Sequence, residues 1–323
     1  MKNQFSKWLS ILLPICLGIF LTVYSYNQFS DSQILEIKSY FKNANYFVVI
    51  IAVIIAFFGN AARAYRWKYA LNHLGYESSF ENNFMAVNIG YLLNLSVPKS
   101  GEISRALIVK KYNNIPFDKG FGTIVAERII DMMILLLFML LAIFLQFDIV
   151  KAFILDKIPI KIVVLFCGFS VVLFFFFLWL YFYSKWQFIE TIKHKISGLK
   201  EGLFSIFKMQ NKEYYFLQTA LIWLSYLLTF YVASYVIPET STLSIGAIIT
   251  SFVVGSIAIA FTNSGFGSYP FLISKMLLFY NIAETAGNAF GWIIWTSQMF
   301  LVLFLGLISF IYLPIYNRKK LHN

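Results

Sequence analysis

Six long apolar runs dominate the chain, at about 8–26, 45–66, 121–147, 161–183, 214–237 and 285–313. At roughly 1.5 Å per helical residue each can cross about 30 Å of hydrocarbon, where a lipid-exposed backbone must satisfy its own hydrogen bonds. No ten-residue alternation suggests an outer-membrane barrel, so the runs predict an all-α polytopic membrane protein. Hydrophobic residues make up 59% of the chain and charged residues 13%, and no polar stretch is long enough for a separate soluble domain. One integral membrane domain is expected to fill residues 1–323. Lys2 and Lys7 precede an apolar run longer than a signal-peptide core and without a small-x-small cleavage site, so the first run is expected to stay attached as a span.

Two further runs, 83–97 and 243–262, are short or rich in small residues. Each breaks at a Ser/Gly-containing stretch before another helical segment, 102–112 and 268–279. If both crossed the bilayer, the 26 Lys and Arg would divide almost evenly between its faces. If both dip in and return, most fall on one face and only Arg128 and Lys275 remain within the membrane. Basic loops stay cytoplasmic, which favours the second arrangement. The expected topology is six full spans with both termini cytoplasmic, and two opposed re-entrant helical hairpins. The first (about 83–112) enters from the cytoplasm and the second (about 243–279) from outside. Span, hairpin and span at 45–147 and again at 214–313 then form an inverted repeat, and broken helices at matching positions of two halves point to a transporter's central site. A lysine-rich segment at about 184–213, with interleaved aromatic and aliphatic residues, reads either as an amphipathic helix on the cytoplasmic leaflet or as an ordinary basic loop.

The chemistry concentrates in the first hairpin and the span after it. Pro98 must stop or kink a helix, and Gly101 permits a tight turn, so a new helix begins near 100–102. Its free N–H groups, with Lys99, Gly101 and Arg105, form a candidate phosphate seat. Glu102 lies three residues before Arg105 and can pair with it. In the next span Glu127 and Asp131 share a face, and Arg128 lies three residues from Asp131. Acids at mid-bilayer are prohibitive unless paired, so Arg128 is expected to neutralise them and to join the phosphate site, with Glu102, Glu127 and Asp131 supporting. The competing readings are an interfacial turn whose charges meet lipid headgroups, and a buried ion pair that only locks hairpin to span. In the second hairpin Asn263, Ser264, Gly265 and Gly267 form a flexible small-residue turn, with Lys275 the one charge behind it. That turn lacks the spacing of a nucleotide-binding loop, and its weight comes from its symmetric position.

The composition also excludes. A net charge of +11 lies in short loops beside the spans, so no nucleic acid is expected. Cys16 and Cys167 sit in apolar runs without CxxC spacing, and His73, His194 and His322 share no ligand spacing, so neither metal nor cofactor is expected.

With these residues in hand, the chain resembles the family of the lysylphosphatidylglycerol synthase transmembrane region, a group also described as flippase-like. The resemblance rests on P-x-x-G-E-x-x-R, matched by Pro98, Gly101, Glu102 and Arg105, and on E-R-x-x-D, matched by Glu127, Arg128 and Asp131. A G-x-G loop near the C-terminus is matched by Gly265 and Gly267, followed by Pro270 where many relatives have an acidic residue. The resemblance covers nearly the whole chain and implies a membrane domain that translocates or handles lipids. In bifunctional relatives a soluble aminoacyl-transfer domain makes the lipid, and no part of this sequence matches one. A lipid flippase acting on an anionic lipid or lipid-linked intermediate is therefore expected, and not an enzyme. The alternatives are a membrane anchor or partner of a separate lipid-modifying enzyme, and a membrane enzyme acting on lipid-linked substrates. The last would need a nucleophile, base or metal motif that the sequence does not display.

Overall fold

The computed structural model describes residues 2–157, 208–262 and 264–318, with scattered positions between 161 and 176. Regular structure among them is helical throughout. The first group comprises α1 (Lys2–Gln28), α2 (Asp31–Asn43), α3 (Tyr46–His73), α4 (Phe80–Ser96), α5 (Ser100–Asn113), α6 (Phe117–Leu145) and α7 (Phe147–Lys157). The second comprises α8 (Lys212–Ala233), two short 3-10 turns, α9 (Ile245–Phe261), α10 (Ser268–Leu278) and α11 (Glu284–Asn317).

Among the described residues, α3, α6, α8 with its following turn, and α11 form 4 helices long and apolar enough to cross a membrane. They coincide with the expected spans at 45–66, 121–147, 214–237 and 285–313. The run at 8–26 falls inside α1. The run at 161–183 and the basic segment at 184–213 lie mostly outside the described residues. Several helices begin where a side chain can take a free N–H: Ser30, Asn45, Ser79 and Ser244 each accept from the residue three further on.

α4 and α5 fold back on one another. At the open end Asn82 donates to Asn113 (3.2 Å), and at the turn the Gly101 N–H donates to Asn94 Oδ1 (2.7 Å). α4 stops because Val97, ahead of Pro98, is extended, and Lys99 then adopts a left-handed φ of 64°. Gly101 is where the two backbones nearly touch: a Cβ there would lie 2.2 Å from the Gly90 carbonyl oxygen. α9 and α10 form a second hairpin, with Thr262 and Ser268 hydroxyls bonded across its turn (2.8 Å).

The two halves match in order and spacing. α3, α4, α5 and α6 begin at 46, 80, 100 and 117, and α8, α9, α10 and α11 at 212, 245, 268 and 284, giving offsets of 166, 165, 168 and 167. Left-handed residues recur in step, Lys99 with Ser264 at the hairpin turns and Asn114 with Asn281 after them. Equivalent helices run antiparallel. Asn45 at the start of α3 donates its N–H to Val236 just past α8 (2.8 Å), and Tyr69 near the end of α3 stacks on Tyr214 near the start of α8. Each hairpin also lies on the last helix of the other half. Asn82 and Asn317 exchange amide hydrogen bonds (3.0 and 2.7 Å), and Phe252 of α9 meets Phe138 of α6 edge-on.

Gly101→Ala is expected to lower the thermal midpoint of the detergent-solubilised protein by several degrees, an overpacking cost of about 1–3 kcal/mol. Gly122→Ala, whose added Cβ meets nothing within 4 Å, is expected to leave the midpoint unchanged or slightly raised. Equal responses from the two variants would show that the hairpin backbones are not in contact.

Candidate functional site

α6 carries Glu127 (0% exposed) and Asp131 (8% exposed) on one buried face. Asp131 lies roughly 21 Å along this helix, near its middle. A carboxylate there needs cations, and α3 supplies two. Arg63 donates to Asp131 Oδ2 (3.0 Å), and Arg66 holds both Asp131 oxygens (2.7 and 3.1 Å). Arg63 and Arg66 are three residues apart, so one face of α3 presents both. Glu127 takes Arg105 of α5 at 3.1 Å and Arg66 at 3.8 Å.

Aromatic groups complete the cluster. The Arg105 guanidinium lies 4.2 Å from the centroid of Trp67, which compensates a cation whose Nε and Nη1 find no hydrogen bond among the described residues. Trp67 in turn donates to Thr123 of α6 (2.9 Å), and Arg63 donates to the Tyr226 hydroxyl of α8 (2.9 Å).

These pairings correct several expectations. Arg128 is not the principal partner of Asp131: it stands at 3.7 Å, and 3.5 Å from Glu102, with 37% of its side chain exposed. Arg63 and Arg66 take the acid from α3 instead, because α6 turns Asp131 inward and Arg128 toward its rim. Glu102 therefore pairs with Arg128 and not with Arg105, which is buried against Glu127. Gly101 does not offer its N–H to a ligand, since Asn94 accepts it, and its role is the close approach to Gly90.

In the second hairpin, the Ser264 carbonyl accepts the Trp295 indole N–H (2.9 Å). Gly265 and Gly267 are buried and left-handed (φ 79° and 68°), and a Cβ on Gly267 would lie 2.1 Å from the Gly18 carbonyl oxygen. Gly267 thus lets α1 pack closely. Lys275 pairs with Glu284 at the start of α11. Asn263 lies outside the described residues.

A cavity of about 720 Å³ lies between the two hairpin turns, bordered by Pro98, Lys99, Glu102 and Arg128 on one side and by Thr262 and Ser264 on the other. Its walls follow the repeat. The lining pairs Lys99 with Ser264, Tyr91 with Ser256, Arg63 with Thr229, Asp131 with Gln298 and Met132 with Met299, each at an offset between 165 and 167. At three of these positions the first half contributes a charge, Arg63, Lys99 and Asp131, where the second contributes a hydroxyl or an amide, and the two methionines match. In the network four arginines meet three carboxylates, so the cluster is net positive. Lys99 adds a further exposed cation on the cavity rim, with no ion pair among the described residues.

Arg63 and Arg66 have no place among the site residues read from the sequence: they stand at the end of the second apolar run, where basic residues are ordinarily assigned to the flanking loop. The signal was available: Ala64, Tyr65, Trp67, Tyr69, Ala70 and Leu71 carry the apolar character onward, and α3 continues to His73.

Antiparallel helical halves, two hairpins and a charged cavity between their turns define a polytopic helical membrane protein with a central polar site. Residues 8–306 match the model of the lysylphosphatidylglycerol synthase TM region, and the chain belongs to that family. It is also similar to a UPF0104 membrane protein of Methanocaldococcus jannaschii, 36% identical over 104 residues, a stretch covering 31% of each chain. No solved structure matches it.

Arg66→Ala is expected to cost about 3–5 kcal/mol, because it leaves two buried carboxylates, Asp131 and Glu127, undercompensated. Arg128→Ala, removing two long contacts from a partly exposed side chain, is expected to cost about 1 kcal/mol or less. Thermal midpoints of the two purified variants check the order, and a loss in Arg128→Ala as large as that in Arg66→Ala would contradict this pairing.

Proposed function

We propose that this protein binds the anionic headgroup of a membrane lipid or lipid-linked intermediate in the central cavity and moves or presents it in the manner of a flippase. The observation that carries this reading is the cavity itself. It is bounded by both hairpin turns, its charge cluster has more guanidinium than carboxylate, and apolar side chains surround it. Lys99 and Arg128 are the cations assigned to the phosphate. Lys99 is exposed and without an ion pair among the described residues, and Arg128 is held only by contacts of 3.5 and 3.7 Å that a phosphate can replace. Arg63, Arg66 and Arg105 are committed to Asp131 and Glu127 and act as support. This reading assigns no bond-making step to the cavity and no resident cofactor.

The reading includes a topology of six spans in the cell membrane, with two re-entrant hairpins and an inverted repeat. Antiparallel equivalent helices support the inversion, and the hairpin breaks support a central site where irregular backbone is shielded from lipid. The end of the molecule that holds Asn82, Asn113 and Asn317 also gathers Lys110, Lys111, Lys119, Lys212 and Arg318, which supports a cytoplasmic position for it and for both termini. The family description names the membrane region of a lipid-modifying synthase, and this favours a second reading: a membrane partner that holds lipid for a separate enzyme.

Reconstitution into liposomes tests the proposal. Wild-type protein is expected to accelerate transbilayer movement of fluorescent phosphatidylglycerol over phosphatidylcholine. Lys99→Gln combined with Arg128→Gln is expected to remove that preference while the thermal midpoint stays near wild type. Selective retention of anionic lipid without accelerated movement would favour the partner reading. No selectivity in either measurement would overturn both.

A further inference from the structure

Two seams lead from the cavity toward the bilayer, and the repeat relates them. One runs between α6 and α9, where Met132 and Ile259 line the cavity. The other runs between α11 and α4, where their equivalents, Met299 and Asn94, line it. The seams differ in two independent ways. Met132 is 64% and Ile259 47% exposed, whereas Met299 and Asn94 are both half-buried. The second seam is also drawn tight by a glycine: Gly306 of α11 meets Leu92 of α4 so closely that a Cβ would lie 2.6 Å from the Leu92 Cβ. At the equivalent positions of the first seam stand Met139 and Ile257, so α6 offers no glycine there for a close approach of the two backbones. Outside the first seam the surface of α6 continues as exposed Met133, Leu136 and Leu137, an apolar face at mid-helix depth.

We infer that the α6–α9 seam is a lateral portal through which a lipid enters from the bilayer, its headgroup at Lys99 and Arg128 and an acyl chain lying between Met132 and Ile259. The inference rests on the anionic-headgroup reading and adds to it the path and the form of the ligand. An anion drawn from water needs no apolar doorway, whereas a lipid whose chains stay in hydrocarbon needs a gap flanked by side chains such as Met and Ile, continuous with the polar site. The α4–α11 seam, closed by Gly306 and by the reciprocal amide pair of Asn82 and Asn317, serves instead as a fixed hinge.

Tryptophan placed at equivalent positions of the two seams distinguishes the possibilities in the full-length protein. Ile259→Trp and Met132→Trp are expected to lower retention of phosphatidylglycerol in native mass spectrometry by about tenfold, and to slow its movement in liposomes correspondingly. Both variants should keep the thermal stabilisation given by millimolar glycerol 3-phosphate, a headgroup without chains. Met299→Trp is expected to leave lipid retention near wild type. Because a tryptophan in a helix seam can prevent folding, Ile259→Ala serves as a second arm and is expected to speed lipid movement. Loss in Met299→Trp with none in Ile259→Trp would overturn the portal while leaving the lipid reading intact. Conversion of a dimer to a monomer by Ile259→Trp would assign the seam to a second copy of the chain and overturn the portal as well. Wild-type protein that responds to glycerol 3-phosphate but retains no phosphatidylglycerol would overturn the lipid reading, and this inference with it.

Discussion

Glu127 and Asp131, two carboxylates in the middle of an apolar helix, determine how the first half of this protein can assemble. Neither can be buried alone, since desolvating an ion costs several kcal/mol even after its surroundings relax. Their cations come from two other elements, Arg63 and Arg66 from α3 and Arg105 from α5. The helices must therefore meet at one depth and one rotation, and a slip of one residue would turn the arginines away. Trp67 reinforces the lock from both sides, with its ring under Arg105 and its N–H on Thr123.

The second half reaches a similar arrangement by shape. At the position equivalent to Asp131 stands Gln298, and at that of Glu127 stands Ile294. Beside the one pair of Lys275 with Glu284 among the described residues of this half, close backbone approach takes the place of ion pairing. Gly287 and Gly291 of α11 lie against Ser274 and Pro270 of α10, where added Cβ atoms would come within 3.0 and 2.6 Å of α-carbons. Phe230 packs edge-on against both Phe252 and Phe290. In a bilayer, where helix association gains little from the hydrophobic effect, small residues and interhelical polar contacts are the two available sources of specificity, and each half uses mainly one of them.

This division gives the cavity its polarity. Because the lining residues are related by the repeat, equal chemistry on both sides would have made a symmetric site with no preferred orientation for a ligand. Arg63, Lys99 and Asp131 line it where the other half contributes Thr229, Ser264 and Gln298, so formal charge lies on the side of the first half and neutral polar groups on that of the second. The seams inherit the same inequality, since Gly306 closes one while a methionine, Met139, stands at the equivalent position of the other.

Much of this was legible in the sequence. Continuous apolar runs specified the long helices, since only a helix of that length satisfies its backbone in hydrocarbon. Pro98 with Gly101, and the small residues from Ser264 to Gly267, marked both hairpin turns. Uncompensated acids in an apolar run required that Glu127 and Asp131 find cations. The sequence did not say which cations. Helical spacing places Arg128 beside Asp131 and Glu102 beside Arg105, yet the fold pairs Asp131 with α3, Glu127 with Arg105 and Glu102 with Arg128. Gly267 likewise read as part of a flexible hairpin turn and proved to be the contact with α1. Local spacing fixes only which side chains share a helical face. An ion pair in a low dielectric is decided over a few ångströms between different helices, and that distance is set by how the helices cross and rotate when they pack.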